Sequence, residues 1–410
     1  MSGPRRLPQD DPPGPFSAPA PNAFRSRGKT TAPDLVANVI QQAIARRASD
    51  IHFEPTETGM LVRFRVDGLL QHAGDIPAEA RAAVTSRIKI LGNMDISEHR
   101  LPQDGRMKMR EKHQSVDMRI STMPSLYGEK VVMRLLDLDN AALPLSGTGL
   151  NADNLITLQR LIRRPQGVLF VTGPTGSGKT STLYACLNDI KSDTLNIVTI
   201  EDPVEYEMVG VTQIGVNDRI GLTFASCLRS VLRQDPDVIL VGEVRDLETA
   251  RIAMQASLTG HLVFATLHTN DAIGAITRLL DMEIPPYLIA SSLIGVLGQR
   301  LVRLLCPLCR TAVEPDPEVR DQLDLPLNAR FSQAKGCDFC HGAGAAGRTG
   351  VHEMLTITPE LRQLITARAS EAQLREAART TGWHSLFEDG MRKVLEGTVA
   401  YEELLRVAER

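Results

Sequence analysis

The sequence predicts an α/β protein whose larger part is a layered domain with a mostly parallel sheet. From Leu155 onward, short apolar runs alternate with stretches of helical periodicity. The runs lack the polar–apolar alternation of a half-exposed sheet, as expected for strands that helices cover on both faces. They lie at residues 168–171, 197–200, 238–241 and 262–265.

A smaller α+β domain precedes this layered domain. Apolar residues recur at helical spacing from Leu35 to Ile44, which predicts an amphipathic helix. Residues 60–66 then alternate, and Asp67-Gly68 is a strong hairpin signal. A second alternating pair, at 107–109 and 116–120, completes an antiparallel sheet.

We predict six segments from these patterns. Residues 1–30 carry seven prolines and few apolar side chains, which predicts a disordered tail. The small domain then spans 31–138, a linker 139–150, the layered core 151–300, a cysteine-bearing module 301–350 and a helical region 351–410. The chain is expected to turn helical after Cys340, with capping boxes at Ser370/Gln373 and Ser385/Glu388 and a C-cap at Gly397.

Composition excludes several classes of protein. A net charge of -3 argues against a strongly basic nucleic-acid binder, and 4% aromatic residues against a stacking platform for single strands. No run of eighteen apolar residues is present, and the longest uncharged run, 284–299, is expected to be a loop followed by a buried helix. We therefore expect a cytoplasmic protein without a nucleic-acid partner.

A phosphate-binding motif lies between the first apolar run and a helical stretch, which is the context it requires. Its glycines let backbone N–H groups wrap phosphates, and the helix N-terminus adds positive partial charge. We expect Lys179 to reach the β- and γ-phosphates and Thr180 to bind Mg²⁺. The motif reads Gly173-Pro174-Thr175-Gly176-Ser177-Gly178-Lys179-Thr180.

Two acidic segments follow predicted strands, at the edge where an α/β sheet places its ligands. Glu243 fits the Mg²⁺-associated acidic position, and its extra carbon relative to Asp predicts an intervening water. Glu205 is our candidate for polarising the attacking water. Glu201 and Asp246 are as readily explained as helix caps or exposed charges.

Polar residues at a third strand end suggest a γ-phosphate sensor, with His268 and Asn270 as candidates, whereas His261 fits a structural role. Hydrolysis also benefits from a cation that neutralises charge in the transition state. Spacing alone leaves the choice open among five arginines: Arg100, Arg106, Arg119, Arg229 and Arg233.

Four cysteines form two CxxC pairs, separated by 27 residues. This spacing predicts a structural Zn²⁺ site, because four thiolates fill a tetrahedral shell. A redox pair and an iron–sulfur cluster are the alternatives. Cys186 and Cys227 are expected to be ordinary buried residues. The predicted ligands are Cys306, Cys309, Cys337 and Cys340.

Together these motifs resemble the secretion ATPase superfamily, and most closely the GspE-like ATPases of type II secretion; PilB-like and PilT-like ATPases are sister families. The resemblance runs from the first predicted helix to the C-terminus, and the two CxxC pairs argue against the retraction branch. The segments that carry it are the phosphate loop, ASDIHFEP (48–55), RLPQDGR (100–106), EDPVEY (201–206), VGEVRD (241–246), TLHTN (266–270) and DGMRKVLEG (389–397).

The resemblance implies a RecA-like P-loop core in a homo-hexameric ATPase at the cytoplasmic face of the inner membrane. It implies catalytic positions at Glu205, Glu243 and His268, and an approach of Arg106 and Arg119 to the γ-phosphate. The motor would drive pseudopilus assembly through a membrane platform protein, with type IV pilus assembly as the alternative.

A DNA-handling ATPase and a non-hydrolysing nucleotide-binding scaffold are the remaining functional alternatives.

Long family members carry an extra N-terminal domain that docks on an inner-membrane partner, and a Pro-rich segment stands in its place here. The tail, the small domain or another chain would then recruit the protein to the membrane.

Overall fold

A computed structural model describes residues 31–111, 114–136 and 143–408. The chain divides into two compact units, with the boundary between Leu135 and Leu136. The predicted tail and residues 139–142 of the predicted linker lie outside the described residues.

The N-terminal unit has two helices and six strands in one sheet. The sheet order is β3-β2-β1-β6-β5-β4, and the pairs β1–β2, β1–β6, β2–β3 and β4–β5 are antiparallel. Apolar side chains from both helices and the sheet form one core, so the predicted α+β domain is confirmed. The elements are α1 (Ala32–Ala45), β1 (Asp50–Thr56), β2 (Gly59–Val66), β3 (Leu69–Pro77), α2 (Ala78–Leu91), β4 (Gln103–Glu111), β5 (Gln114–Ser125) and β6 (Gly128–Leu136).

Local sequence explains the start of this unit. Thr31 and Asp34 form a capping box at the N-terminus of α1, which satisfies backbone donors that have no partner within the helix. Asp67 and Gly68 adopt φ values of 48° and 85° between β2 and β3. Positive φ at both central residues gives the turn a twist that matches the paired strands, as the Asp-Gly signal predicts.

The C-terminal unit contains the layered domain. Its first elements are α3 (Ala152–Leu161), β7 (Gly167–Thr172), α4 (Lys179–Ile190), β8 (Ile197–Glu201), β9 (Thr212–Gly215), α5 (Phe224–Val231), β10 (Val238–Val241), α6 (Leu247–Leu258), β11 (Leu262–Leu267), α7 (Ala272–Asp281) and α8 (Pro286–Ser292). The later elements are β12 (Leu293–Leu305), β13 (Arg310–Val313), α9 (Pro317–Gln322), β14 (Phe331–Ala334), β15 (Ala345–Thr356), α10 (Pro359–Thr366), α11 (Glu371–Arg379), α12 (Leu386–Leu395) and α13 (Tyr401–Leu405).

Seven strands form the main sheet of this unit, in the order β15-β12-β7-β11-β10-β8-β9. Neighbours from β12 to β9 are parallel, and β15 joins β12 antiparallel. Every residue of β7, β8, β10 and β11 is buried. The α/β class and the four predicted strands are therefore confirmed, and the carboxyl ends of the parallel strands share one edge.

Two local predictions are wrong. The uncharged run 284–299 holds the short helix α8, but from Leu293 it continues as the strand β12 rather than as a buried helix. The chain also does not turn helical directly after Cys340, because β15 intervenes and pairs with β12. Both residue runs are apolar or glycine-rich without a clear period, so only long-range pairing decides their structure.

The C-terminal helices follow the predicted signals. Ser370 and Ser385 cap α11 and α12 through capping boxes with Gln373 and Glu388, and Gly397 has a φ of 71° after α12. Subdivision of 151–410 into core, cysteine module and helical region stays a prediction. Among the described residues, no helix is long and apolar enough to cross a bilayer.

Candidate active site and cysteine cluster

The phosphate loop connects the buried strand β7 to helix α4. Gly178 stands at the N-cap of α4 with a φ of 85°, a left-handed conformation that favours glycine. The backbone N–H groups at the start of α4 have no partner within the helix and can bind an anion. The loop thus has the geometry that a triphosphate requires.

Lys179 is buried at the centre of this loop, and its Nζ donates to the carbonyls of Gly173 (2.8 Å) and Pro174 (3.1 Å). An ammonium group has three donors, so one remains for a phosphate oxygen. Burial lowers the pKa of Lys179, the charge of Glu243 opposes this shift and that of Arg300 adds to it. The lysine is thus held within electrostatic reach of the acidic candidate.

Glu243 and His268 meet at the carboxyl edge of the sheet, as the sequence predicts. His268 Nε2 lies 3.6 Å from a carboxylate oxygen of Glu243, which also pairs with Arg245. Burial and then the charge of Lys179 lower the pKa of His268, although the charge of Glu243 opposes this shift, and the net effect favours the neutral ring. Neutral imidazole can either donate or accept a hydrogen bond, which suits a sensor of a phosphate oxygen.

A hydrogen bond keeps these two strand ends in register. The Thr266 hydroxyl donates to the carbonyl of Gly242 at 2.5 Å, and the N–H of Val244 donates to the carbonyl of Thr266 at 3.0 Å. These two bonds hold the segments that carry Glu243 and His268 against each other.

Glu205 lies on the loop after β8, at the same edge of the sheet. Glu201, at the end of β8, is neither a helix cap nor an exposed charge, and that expectation is wrong. It is buried and accepts hydrogen bonds from Tyr184, Thr199 and Gln213. Asp246 does cap a helix, since its Oδ1 accepts from the N–H of Thr249.

The candidate arginines lie in different places. Arg229 pairs with Glu248, and Arg233 donates to the carbonyl of Arg229, both on the surface of the C-terminal unit. Arg106 and Arg119 belong to the N-terminal unit, where they stand opposite each other on β4 and β5. They line one surface depression of that unit together with Asp104 and Arg134.

Two residues near the loop were missed by sequence reasoning. Gln299 of β12 is buried, and Arg300 donates to the carbonyls of Gln299 (3.1 Å) and Asn270 (2.6 Å). A Cβ placed on Gly173 would lie 3.2 Å from Arg300 Nη1. Both residues lie on the strand that follows α8, where the sequence predicts a buried helix.

The residues present fit a divalent cation beside the phosphates. Thr180 is exposed at the first turn of α4, and Glu243 follows β10, which one strand (β11) separates from β7 in the sheet. Hydroxyl and carboxylate oxygens are the ligands that Mg²⁺ accepts, directly or through water. The arrangement can hold a nucleotide, a cation and a positioned water.

The four predicted cysteines come together in one cluster. Their sulfur atoms all lie within 4.8 Å of one another, and Sγ–Sγ distances of 3.8 Å and 3.9 Å join Cys306 to Cys337 and Cys309 to Cys340. A tetrahedral site with Zn–S bonds of about 2.3 Å has edges of about 3.8 Å, whereas a disulfide needs about 2.05 Å. The donor set and spacing are compatible with a structural zinc site.

The backbone around the cluster favours a thiolate at Cys340. Burial alone would raise the pKa of Cys340, but the N–H groups of Cys337 (3.2 Å) and Gly344 (3.3 Å) donate to its sulfur and lower the pKa to about 7. Cys186 and Cys227 are buried outside the cluster, as predicted.

Relatives confirm the resemblance noted in the sequence. A family model described as "Type II/IV secretion system protein" matches residues 26–406. The type II secretion system protein HxcR of Pseudomonas aeruginosa is 52% identical over 373 residues, which cover 91% of this chain and 76% of that protein. The type II secretion system ATPase E of Vibrio cholerae is 48% identical, covering 92% of this chain and 75% of that protein.

Solved structures agree with this assignment. The crystal structure of the pilus retraction motor PilT with bound ADP has a TM-score of 0.62 at 26% identity and covers 91% of this chain and 96% of PilT. The ATPase DotB of Legionella pneumophila shares the fold, with a TM-score of 0.68 at 20% identity over 94% of this chain and 98% of DotB. The chain therefore belongs to the type II/IV secretion system protein family.

Proposed function

We propose that this chain converts ATP hydrolysis into mechanical work that drives protein secretion through a type II secretion system. The chain is an ATPase of the secretion family. The observation that carries the proposal is the convergence of Lys179, from the phosphate loop, with Glu243 and His268 at one edge of the sheet. Phosphoryl transfer needs such positioned charge more than it needs covalent chemistry.

Each residue at this edge has a proposed role. Backbone N–H groups of the phosphate loop and the Nζ of Lys179 bind the β- and γ-phosphates. Glu205 orients and polarises the attacking water, and Glu243 holds a water in the shell of the cation. His268 contacts the γ-phosphate and distinguishes ATP from ADP. Arg106 and Arg119, supplied by an N-terminal unit of the assembly, neutralise charge in the transition state.

Two metal ions complete the proposal. Thr180 and Glu243 would hold Mg²⁺, which when bound neutralises charge on the phosphate oxygens. The four cysteines would hold one Zn²⁺ with no open position, so this site is structural rather than catalytic. The polar segment between the cysteine pairs has little apolar core of its own, and the metal would supply its folding energy.

We further propose that the chain works as a homo-hexamer at the cytoplasmic face of the inner membrane, next to a platform protein. Support comes from the names of the relatives, which specify a secretion system. Those names favour secretion over type IV pilus assembly, the second candidate. That candidate rests on the likeness to the retraction motor PilT.

The direct test is steady-state phosphate release from ATP and Mg²⁺ by the purified oligomer. Lys179→Ala removes the ammonium group that binds the phosphates. It should abolish turnover while the far-ultraviolet circular dichroism stays unchanged. No release by the wild-type oligomer would favour the non-hydrolysing scaffold.

A further inference from the structure

A buried polar cluster lies beside the catalytic edge of the sheet. Tyr184 of α4 is fully buried, and its hydroxyl donates to Oε2 of the buried Glu201. Oε1 of Glu201 accepts from the Thr199 hydroxyl (2.6 Å) and from Nε2 of Gln213 (3.2 Å). The carboxylate therefore accepts three hydrogen bonds, all from side chains of this cluster.

The same cluster holds the loop that carries Glu205. Gln213 Nε2 also donates to the carbonyl of Tyr206 (3.1 Å), and its Oε1 accepts from the N–H of Met208 (2.7 Å). The rings of Tyr184 and Tyr206 pack edge to face, with centroids 4.6 Å apart. The backbone of Glu205 itself hydrogen bonds to the Tyr184 hydroxyl.

Tyr184 thus joins two parts of the site that the sheet alone does not connect. It lies on α4, the helix that begins with Lys179 and Thr180, and it contacts Glu201 at the end of β8 and Tyr206 of the loop that follows. A buried side chain with fixed hydrogen bonds can hold such a loop to a fraction of an ångström. An error of about 1 Å in the position of a reacting group can cost about 100-fold in rate.

We propose that Tyr184 is a positioning residue that sets the place of Glu205 relative to the bound phosphates. The inference rests on the role proposed for Glu205 above. Tyr184 is fully buried and its hydroxyl is bonded to Glu201, so it acts only through the loop. Its loss therefore lowers the rate of the chemical step and leaves nucleotide binding unchanged.

A merely structural role for the hydroxyl is the competing explanation. Tyr184→Phe keeps the ring contact with Tyr206 and leaves Glu201 two of its three donors, so the fold should persist. Two readouts separate positioning from structure, namely the division of the effect between kcat and KM, and its dependence on Glu205. A residue that acts through Glu205 has no further effect once the carboxylate is gone.

The experiment compares wild type, Tyr184→Phe, Glu205→Gln and the double variant, using γ-labelled ATP to follow slow turnover. We expect Tyr184→Phe to lower kcat by about 10- to 100-fold, with KM for ATP within about twofold of wild type. The double variant should be no slower than Glu205→Gln alone. Tyr401→Phe, which removes a hydroxyl from a ring stacked on Phe331, is the matched control.

The outcomes separate the inference from the proposed function. If Tyr184→Phe lowers kcat by the same factor in wild type and in Glu205→Gln, or leaves kcat unchanged, the inference is overturned while Glu205 keeps its role. Full turnover by Glu205→Gln would overturn the role of Glu205 and the inference with it. Gln213→Leu releases the loop from the β9 side and should show the same dependence on Glu205, which keeps the test decisive if Tyr184→Phe does not fold.

Discussion

Gln299 donates a hydrogen bond of 2.7 Å from its side-chain amide to the backbone carbonyl of Ser177, in the middle of the phosphate loop. Its carbonyl oxygen accepts from the Thr182 hydroxyl at 2.8 Å, one turn into α4. One buried side chain on β12 thus braces the loop and the helix that follows it.

Replacing this brace should weaken nucleotide binding. Gln299→Leu leaves a buried carbonyl and hydroxyl without their partner, which costs about 1–3 kcal/mol. We expect the free energy of unfolding to fall by that amount and Kd for ATP to rise by about 10-fold, measured by urea denaturation and calorimetry. Gln363→Leu on an exposed helix face is the control. An unchanged Kd would contradict the bracing role.

Gly178 should tolerate a methyl group less well than Gly176 does. Both have positive φ, which costs alanine about 1–2 kcal/mol. A Cβ on Gly178 would also lie 2.8 Å from Nε2 of Gln299, whereas one on Gly176 meets nothing within 4 Å. We expect Gly178→Ala to lose about 1–3 kcal/mol more than Gly176→Ala in nucleotide-free urea unfolding. Equal losses of unfolding free energy in the two variants would refute this. So would a difference between them that persists when both carry Gln299→Ala, which removes the clashing amide.

The buried carboxyl of Glu353 should make stability depend on pH. Burial raises its pKa to about 7, although the N–H of Ala272 donates to it, and the charge of Asp271 also raises it. Because the folded pKa exceeds the unfolded value near 4.5, its contribution is full below pH 4.5 and is lost as pH rises through 7.

Glu353→Gln removes this titration. The free energy of unfolding of the variant minus that of wild type should therefore increase by about 2–3 kcal/mol from pH 5 to pH 8, measured by urea unfolding at both values. Other titrating groups, such as His352, cancel in the difference between the two proteins. Glu360→Gln, an exposed replacement, controls for the lost charge. A difference that does not change with pH would show that Glu353 is ionised in both states.

Metal removal should act on the cysteine module alone. We expect one zinc per chain by elemental analysis, lost in Cys306→Ser and retained in Cys227→Ala. Cys306→Ser or a chelator should lower the melting temperature while Kd for ATP stays unchanged, because no cysteine of the cluster lies in the phosphate loop. A folded protein that contains no zinc, and whose melting temperature a chelator does not change, would argue that the four cysteines are thiols that bind no metal.

The sequence predicts the parts of the site whose signal is local. The glycines and Lys179 follow from a fixed motif, and Glu243 and His268 from their places after two apolar strands. The roles of Gln299 and Tyr184 are not local, because they depend on which strand lies beside β7 and on which loop packs against α4. No periodicity in the chain specifies those neighbours.

The strand β12 shows the same limit for the fold. Its first half is uncharged and lacks alternation, since it is buried between β7 and β15. Such a run fits a buried helix or a buried strand equally well. Its partner β15 begins forty residues after β12 ends, so the pairing that decides the question cannot be found in a short window.

We propose that Glu243 serves hydrolysis and that the phosphate loop binds ATP independently of this carboxylate. The most direct measurement follows ATP binding and phosphate release side by side in wild type and Glu243→Gln. We expect Glu243→Gln to bind ATP with Mg²⁺ about as tightly as wild type and to release phosphate at least about 100-fold more slowly. Wild-type turnover in Glu243→Gln, or no ATP binding by either protein, would contradict it.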